Sequence, residues 1–306
     1  MSSKTLNLAL ISLGYWGKIC VKTLSILSNI KLKYIVTSQS HPKDILPTIK
    51  LLSSWKHLLD KQDIDGVIIA SPSATHYDIA KAFIQKNIPV FIEKPMTLCV
   101  KEAEELYQLE KKFSCPVVVD HILLFSPAFR VISDYIKTSN LNIQEIAFIA
   151  GKYKPYPNDV SMLWEWAPHD LAMCFELING SLEIKNITQQ KKQIDTNYCQ
   201  EINLTSQVGS TKVEFNWSTL FENPTRKMII KCTDRQIEFN DKTEPKVTVI
   251  HTNNKVEQLN YNSKLALTAA FEHFLEIIYT KNTSFTNTTL GLKVVKAVHD
   301  IEQKLP

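Results

Sequence analysis

The sequence predicts an α/β protein in two parts: a doubly wound parallel sheet, followed by an α+β domain with a large, mainly antiparallel open sheet. Three observations support this fold class. The 306 residues exceed the length usual for one domain. Short apolar runs alternate with helical patterns over the first 120 residues, and after Phe125 most strand patterns follow one another directly. We therefore expect domains at residues 1–122 and 123–306.

In the first part, continuous apolar runs predict strands that are buried on both faces, as in a parallel sheet covered by helices. Strands are expected at residues 6–12, 32–37, 66–70, 89–92 and 116–119, and helices at 15–28, 75–86 and 100–112. The segment from Asp44 to Leu59 has a mixed pattern, and we expect it to be helical in part, with Pro47 as a break.

In the second part, strands outnumber helices. Helices are expected at residues 127–137 and 169–178, and strands at 143–150, 184–188, 201–208, 212–218, 227–232, 236–240 and 246–251. Amphipathic helices at 263–280 and 289–304 close the chain, and the last of them is a candidate to pack back on the first domain.

Composition and charge exclude several classes of protein. Apolar residues make up 44% and charged residues 22% of the chain, which is ordinary for a globular protein and excludes a disordered or fibrous one. The net charge of +4 is small and no basic run concentrates it, so we expect no nucleic-acid partner. Apolar runs are too short for a membrane span or a signal peptide, so we expect a cytoplasmic protein with no membrane partner. The six cysteines match neither a zinc nor a disulfide spacing.

The first predicted strand runs into a candidate phosphate-binding loop. The chain has only 7 glycines, and two of them stand in the segment Ser12-Leu13-Gly14-Tyr15-Trp16-Gly17. This spacing is that of the dinucleotide pattern G-x-G-x-x-G, with Ser12 in place of the first glycine. Gly14 would let the backbone approach a pyrophosphate, and the N-terminus of the following helix would favour the anion. The alternative is an ordinary strand-to-helix turn.

The dinucleotide pattern also requires an acidic residue about 20 positions further on, at the end of the second strand, to bind the adenosine ribose. The sequence there reads Ile35-Val36-Thr37-Ser38-Gln39-Ser40-His41, and the first carboxylate is that of Asp44. Hydroxyl groups such as that of Ser38, with Lys43 nearby, are compatible with a 2′-phosphate, but no arginine is present. The sequence therefore leaves NAD and NADP both open.

Further motifs follow predicted strands of the first domain, where ligands bind in open α/β sheets. They are Ser71-Pro72-Ser73-Ala74-Thr75-His76, Glu93-Lys94-Pro95 and Asp120-His121, and the second domain adds Trp164-Glu165-Trp166-Ala167-Pro168-His169-Asp170. Together these motifs resemble those of the glucose–fructose oxidoreductase / inositol dehydrogenase / MocA (Gfo/Idh/MocA) family over essentially the whole chain. The resemblance implies an NAD(P)-binding Rossmann domain, followed by a domain for substrate binding and oligomerisation.

The resemblance also implies roles for individual residues. Lys94 would be the catalytic lysine and His169 the catalytic histidine, with Glu165 at the position of a family aspartate four residues before that histidine. The cofactor-binding residues would be Ser12, Gly14, Tyr15, Trp16, Gly17, Ser38, Ser71, Thr75, His76, Glu93 and Lys94. The substrate-binding residues would be Lys94, His121, Trp166, His169 and Asp170. A cis peptide bond would often precede Pro95.

The chemistry of these side chains is consistent with oxidoreduction, although several of them have structural alternatives. Oxidising a secondary alcohol requires a base for the hydroxyl proton, and a histidine beside a half-buried lysine can supply one. Glu165 and His169 could also be metal ligands, but the sequence places no third ligand, so we expect no metal. Asp170 is equally suited to a helix N-terminus, His121 to the core, and the two tryptophans to packing at a domain junction.

We expect an NAD(P)-dependent oxidoreductase whose substrate is a sugar or cyclic polyol, since the Trp164 motif most resembles that of members acting on nucleotide-linked sugars in surface-polysaccharide synthesis. A catabolic sugar or inositol dehydrogenase is one alternative, and a catalytically silent NAD(P)-binding sensor is another. The strand at 212–218 carries Val213, Phe215 and Trp217 on one face of the second sheet. The resemblance adds that such sheets commonly pair, so we expect a homodimer or homotetramer.

Overall fold

The computed structural model describes residues 5–39, 42, 45–157 and 161–306. The chain forms two compact units. The first comprises Met1–Ile122 and Leu265–Val295, and the second comprises Leu123–Lys264 and Lys296–Pro306.

The first unit is built on six parallel strands, which confirms the predicted doubly wound sheet. Its first nine elements are β1 (Leu6–Ile11), α1 (Tyr15–Leu24), β2 (Ile30–Val36), β3 (Lys50–Leu52), β4 (Gly66–Ile69), α2 (His76–Gln85), β5 (Val90–Glu93), α3 (Val100–Phe113) and β6 (Val117–Asp120). The strand order is β3-β2-β1-β4-β5-β6, so the order reverses between β1 and β4. In open sheets of this kind, ligands bind where the order reverses.

The second unit is built on eight strands, which confirms the mainly antiparallel sheet. Its elements are α4 (Pro127–Thr138), β7 (Ile143–Gly151), α5 (Leu163–Leu177), β8 (Leu182–Ile194), β9 (Asn197–Val208), β10 (Thr211–Ser218), β11 (Thr225–Cys232), β12 (Arg235–Asn240), β13 (Val247–His251) and β14 (Val256–Gln258). The order is β14-β13-β12-β11-β7-β10-β9-β8, and within the described residues only β7 and β10 pair in parallel.

Two helices follow these strands. Helix α6 (Ala266–Thr280) belongs to the first unit, and the residues of α7 (Thr288–Glu302) are divided between the two units. Phe271 and Phe274 of α6 pack against Phe91 of β5, with ring centroids 4.9 and 5.6 Å apart. No helix in the described part of the chain has the length and apolar content that crossing a membrane requires.

The strands of the first sheet are buried because helices cover both of its faces. In β4 the consecutive residues Val67, Ile68 and Ile69 are all fully buried. Successive side chains of a strand point to opposite faces, so burial of all three requires cover on each side. This is the environment that their continuous apolar pattern predicts.

The segment from Asp44 to Leu59 departs from the prediction. Asp44 itself lies outside the described residues, and the described part of the segment contains no α-helix. It forms the edge strand β3 and a short 3-10 turn at Trp55–Leu58. Strand β3 runs parallel to β2, and Lys50 pairs with Tyr34 while Leu52 pairs with Val36. Pairing within the sheet therefore overrides a weak helical pattern.

Four elements of the second unit also differ from the prediction. Helix α5 begins at Leu163 rather than at His169, because Pro168 is accommodated inside the helix instead of preceding it. Strands β8 and β9 form a much longer hairpin than predicted, since their polar ends carry little periodic signal. The short strand β14 was not predicted at all.

The apolar face of β10 is already covered within the second unit. Val213, Phe215 and Trp217 are buried in the single chain, and the ring of Phe215 stacks on that of Phe148 at 5.0 Å. The opposite face carries Lys212, which is exposed. These apolar side chains therefore do not call for a partner subunit, and the expected oligomer rests on the family resemblance alone.

Candidate active site

The loop after β1 follows a glycine-like path although its first position is a serine. Ser12 has a φ of 83°, in the left-handed region that favours glycine. Gly17 comes close to this residue, because a Cβ built on Gly17 would lie 2.2 Å from the carbonyl oxygen of Ser12. Gly17 is therefore required for the close approach of α1 to the end of β1. Ser12 thus adopts a backbone conformation that the first glycine of the pattern would favour.

The start of α1 has no side-chain cap. Within the described residues the N-cap position is held by Gly14, which makes no side-chain hydrogen bond to the first turn. A Cβ on Gly14 would meet only the Ser12 hydroxyl oxygen, at 3.8 Å, so the space beside it is open. Free N–H groups and the helix dipole favour an anion at such a place. Tyr15, which follows, is 85% exposed, and Trp16 is half-buried.

A cleft of about 590 Å³ opens beside this loop. Five of the predicted cofactor-binding residues line this cleft: Ser12, Gly14, Ser38, Ser71 and Thr75. The hydroxyl oxygens of Ser71 and Thr75 are 2.7 Å apart. The volume lies within the range of small-molecule sites. An open glycine, an uncapped helix start and hydroxyl groups together fit a dinucleotide.

The end of β2 contributes neutral polar groups to this cleft. Thr37, Ser38 and Gln39 line it, and the amide nitrogen of the Gln39 side chain donates to the Leu13 carbonyl at 3.3 Å. Lys43 and Asp44, the charged residues that bear on the choice between NAD and NADP, lie outside the described residues.

His76 is not free to contact a cofactor through its ring nitrogens. Nδ1 lies 2.8 Å from the carbonyl oxygen of Pro95, and Nε2 lies 2.9 Å from that of Ser71. Burial lowers the pKa of His76, which is almost completely buried. The ring thus links the loop after β4 to the loop after β5. Its effect on a cofactor would be indirect, through the position of Ser71.

The Glu93-Lys94-Pro95 motif follows β5, and the Lys94–Pro95 peptide is cis, as the resemblance implied. Lys94 is half-buried, and its backbone N–H donates to a carboxyl oxygen of Glu93 at 3.2 Å. Glu93 is paired in register with Asp120 on β6. Residues paired across neighbouring strands point to the same face of the sheet. The register therefore brings two carboxyl groups together.

Asp120 and His121 are buried beside this motif, each 1% exposed. The carboxyl group of Asp120 hydrogen-bonds to that of Glu93. Among the described residues, neither ring nitrogen of His121 has a hydrogen-bond partner. Burial raises the pKa of Asp120 to about 6. Burial, and then the charge of Asp120, raises the pKa of Glu93 well above its usual range.

The same surroundings keep His121 neutral. Burial lowers the pKa of His121 to about 3, and the charge of Lys94 adds to the decrease. Cys20 of α1 faces the carboxyl groups as well, and its thiol pKa is raised by burial and then by the charges of Glu93 and Asp120. With His121 and Cys20 uncharged, the charged side chains of this cluster are those of Glu93, Asp120 and Lys94.

In the second unit, Glu165 and His169 lie one helical turn apart on α5, and therefore on one face of that helix. Both are half-buried. Glu165 accepts hydrogen bonds from the Lys154 ammonium, at 2.6 Å, and from the Tyr156 hydroxyl. Burial, and then the hydrogen bond to Glu165, raises the pKa of Tyr156 above its usual range. Lys154 and Tyr156 were missed from the sequence, although they lie between β7 and the motif.

Asp170 is a structural anchor and does not cap a helix, because it lies inside α5 and is 1% exposed. One carboxylate oxygen accepts from Arg226 of β11 at 2.5 Å, and the other from the indole of Trp217 at 2.8 Å. The Arg226 guanidinium also lies over the ring of Trp166, 5.5 Å from its centre. The expectation that Asp170 binds substrate therefore conflicts with its partners. Alternation in β11 puts Arg226 on the same buried face as Met228, but it does not identify Asp170 as the partner.

Three comparisons bear on the identity of the protein. Residues 6–121 match the family profile described as "Oxidoreductase family, NAD-binding Rossmann fold". This part of the chain is thus similar to the NAD-binding Rossmann domain of that oxidoreductase family.

Its relatives share modest identity. An uncharacterised oxidoreductase of Synechocystis is 32% identical over 117 residues, 37% of this chain and 30% of the relative. UDP-N-acetylglucosamine 3-dehydrogenase of Acidithiobacillus ferrooxidans is 22% identical over 253 residues, 77% of each chain. The first curated relatives are matched over only 30%, 34% and 47% of their own length.

Solved structures match over nearly the whole chain. A protein of Magnetospirillum magnetotacticum superposes with a TM-score of 0.86 at 26% identity, covering 97% of this chain and 99% of that one. The Acidithiobacillus dehydrogenase superposes with a TM-score of 0.82 at 19% identity, covering 99% and 98%. At that identity the second likeness concerns the fold alone.

Proposed function

We propose that the protein is an NAD(P)-dependent oxidoreductase that acts on a CH–OH group of a sugar, in particular a nucleotide-linked sugar. The observation that carries this proposal is the glycine loop after β1, with its open Gly14 and the uncapped start of α1 beside the cleft. When bound, the nicotinamide would supply the hydride chemistry. The protein supplies binding, orientation and proton transfer.

The cofactor would be held mainly by backbone groups and hydroxyls. Gly14 and the first N–H groups of α1 would receive the pyrophosphate, because both the dipole and the missing Cβ favour it there. Ser38, at the end of β2, would contact the adenosine ribose. Ser71 and Thr75 line the same cleft and would bind further along the dinucleotide. Either NAD or NADP is compatible with these neutral groups.

Lys94 and His169 would handle the proton of the substrate hydroxyl. Alcohol oxidation releases a proton from oxygen, and the reverse reaction returns it, so a group that titrates near neutral pH is needed. Lys94 would donate to the developing oxyanion, and His169 would take or return the proton. Glu165 would support His169 from one turn before it, while Lys154 and Tyr156 hold its carboxylate.

The substrate class is supported by the relatives. The Acidithiobacillus relative, which matches across both parts of this chain, is a UDP-N-acetylglucosamine 3-dehydrogenase. The sequence motif Trp-Glu-Trp-Ala-Pro-His-Asp around Glu165 also supports a nucleotide-linked sugar as substrate. A catabolic sugar or inositol dehydrogenase is the nearest alternative within the same chemistry.

Removal of Lys94 tests the proposal. Lys94→Ala should lower kcat about 10²–10⁴-fold, the usual contribution of a general acid–base group, and should leave cofactor affinity nearly unchanged. His169→Asn should do the same. The double variant should lose much less than the product of the two effects, since residues that serve one proton transfer act as a unit. Turnover would be followed at the nicotinamide absorbance band with a panel of UDP-sugars.

The exposed Lys101 of α3 offers a matched control. Lys101→Ala should change neither turnover nor cofactor affinity. Unchanged turnover in Lys94→Ala would refute the catalytic role of Lys94. Cofactor binding without turnover of any sugar in the parent protein would favour a silent sensor.

A further inference from the structure

The buried carboxyl pair beside Lys94 has no part in the proton transfer proposed above. Glu93 and Asp120 are register partners on β5 and β6, and Asp120 is 1% exposed. Three carboxyl oxygens, one of Glu93 and both of Asp120, are buried, and the two side chains hydrogen-bond to each other. Burying such groups is costly. A fold gains nothing from them, whereas a reaction site can use their charge.

We infer that Glu93 and Asp120 form a positioning pair that holds a single negative charge next to Lys94 and so keeps its side chain protonated in the resting protein. The inference rests on the proposed role of Lys94. It adds a role for Asp120, which takes no part in the proposed proton transfer itself. It also adds that Glu93 and Asp120 share one proton.

The geometry explains why two carboxyl groups hold one charge. Both side chains project from paired positions of neighbouring strands, so ionisation of one opposes ionisation of the other. Removal from water opposes the second charge further. Burial raises the pKa of Asp120 to about 6, and burial and then the charge of Asp120 raise the pKa of Glu93 well above its usual range, so the pair carries one charge between its two ionisations.

The groups that face the pair do not supply a competing charge. Cys20 approaches from α1 with its thiol protonated, and His121 is neutral next to Asp120. Lys94 is the remaining titratable group among the described residues whose charge acts on both carboxyl groups. The negative charge of the pair therefore interacts mainly with the ammonium group of Lys94.

The charge state of Lys94 can be measured without turnover. Competitive acetylation across a pH series, read by mass spectrometry of the Lys94 peptide, gives the pH at which the amine becomes reactive. In Glu93→Gln/Asp120→Asn that midpoint should fall by about one to three pH units, the effect of removing a neighbouring opposite charge. Each single variant should shift it less, because the remaining carboxyl group can ionise in place of the pair.

Glu110 provides the control, since it is a buried carboxyl group of the same unit that accepts hydrogen bonds from Thr288. Glu110→Gln should leave the Lys94 midpoint unchanged. An unchanged midpoint in the folded double variant would overturn the inference. Infrared spectroscopy gives a second measurement if the double variant does not fold: the parent should show a protonated carboxyl band at neutral pH that Glu93→Gln lacks, and absence of this band from the parent would overturn the inference equally.

The two proposals fail separately. A shifted Lys94 midpoint together with full turnover in Lys94→Ala would support the charge pair and refute the catalytic lysine. An unshifted midpoint together with lost turnover in Lys94→Ala would refute the pair and leave the proposed function intact.

Discussion

The contact between Gly17 and Ser12 makes the glycine loop testable by adding one methyl group. In Gly17→Ala the new Cβ would lie 2.2 Å from the Ser12 carbonyl oxygen, whereas real Cβ atoms need at least 3.0 Å. The obstructing atom belongs to the backbone, and the Ser12 N–H is held by the Val36 carbonyl at 3.0 Å. The end of β1 or the start of α1 must therefore move. Overpacking of this kind costs about 1–3 kcal/mol.

Gly14→Ala is the matched control within the same loop. Its Cβ would meet only the Ser12 hydroxyl oxygen at 3.8 Å, an ordinary contact. Gly14 has a φ of −72°, which an alanine adopts without strain. The free energy of unfolding of Gly14→Ala should stay within about 0.5 kcal/mol of the parent value. Its added methyl group would nevertheless occupy the space proposed for the pyrophosphate, so cofactor affinity should fall.

Two assays separate these effects. Urea unfolding followed by tryptophan fluorescence measures stability, and titration with NADH and NADPH measures affinity. Gly17→Ala should lose both stability and affinity, and Gly14→Ala should lose affinity alone, by about tenfold for each 1.4 kcal/mol. A Gly17→Ala protein as stable as the parent would refute the loop geometry. Parental cofactor affinity in Gly14→Ala, or in the bulkier Gly14→Val, would refute the assignment of the loop.

Three further predictions concern charged residues. Asp170→Asn leaves Arg226 buried without its counter-charge and should reduce the free energy of unfolding by about 3–5 kcal/mol. As a control, Glu214→Gln removes an exposed ion pair with Lys212 and should reduce the free energy of unfolding by at most about 1 kcal/mol. The raised pKa of Asp120, about 6, means that the folded parent binds more protons than the unfolded chain between about pH 4 and pH 6, so parent stability falls as pH rises through that window. Asp120→Asn should therefore raise the thermal midpoint more at pH 8 than at pH 5. Glu165→Asp should lower turnover mildly, and Glu165→Gln should alter the pH profile of kcat/KM.

The parallel sheet could be predicted because its signal is local. A run such as Gly66–Ile69 is apolar at every position, which only a strand covered on both faces requires. The edge strand β3 could not be predicted, since Lys50–Leu52 forms a strand only through pairing with β2. The start of α5 was missed for a related reason. Pro168 breaks the local helical pattern, but the surrounding helix tolerates it.

The motifs of the candidate site could be found for a geometric reason. Carboxyl ends of parallel strands share one edge of the sheet, so residues that follow β1, β4 and β5 can be grouped without knowing the structure. Side-chain partners across the sheet could not be found in this way. Asp170 is 56 positions from Arg226, and nothing local relates them. The pairing of Glu93 with Asp120 needs the register of β5 and β6, which the sequence leaves undetermined.

The buried contacts of Asp170 also help to position the neighbouring residue, His169. Successive residues of a helix point about 100° apart, so fixing the direction of one side chain fixes that of its neighbour. Arg226 and Trp217 hold both oxygens of Asp170 against the sheet, and this sets the rotation of α5 about its axis. Glu165 and His169 then leave the helix in a defined direction. Because small misplacements of a proton-transfer group reduce its effect strongly, a buried ion pair one residue away stabilises geometry that the reaction needs.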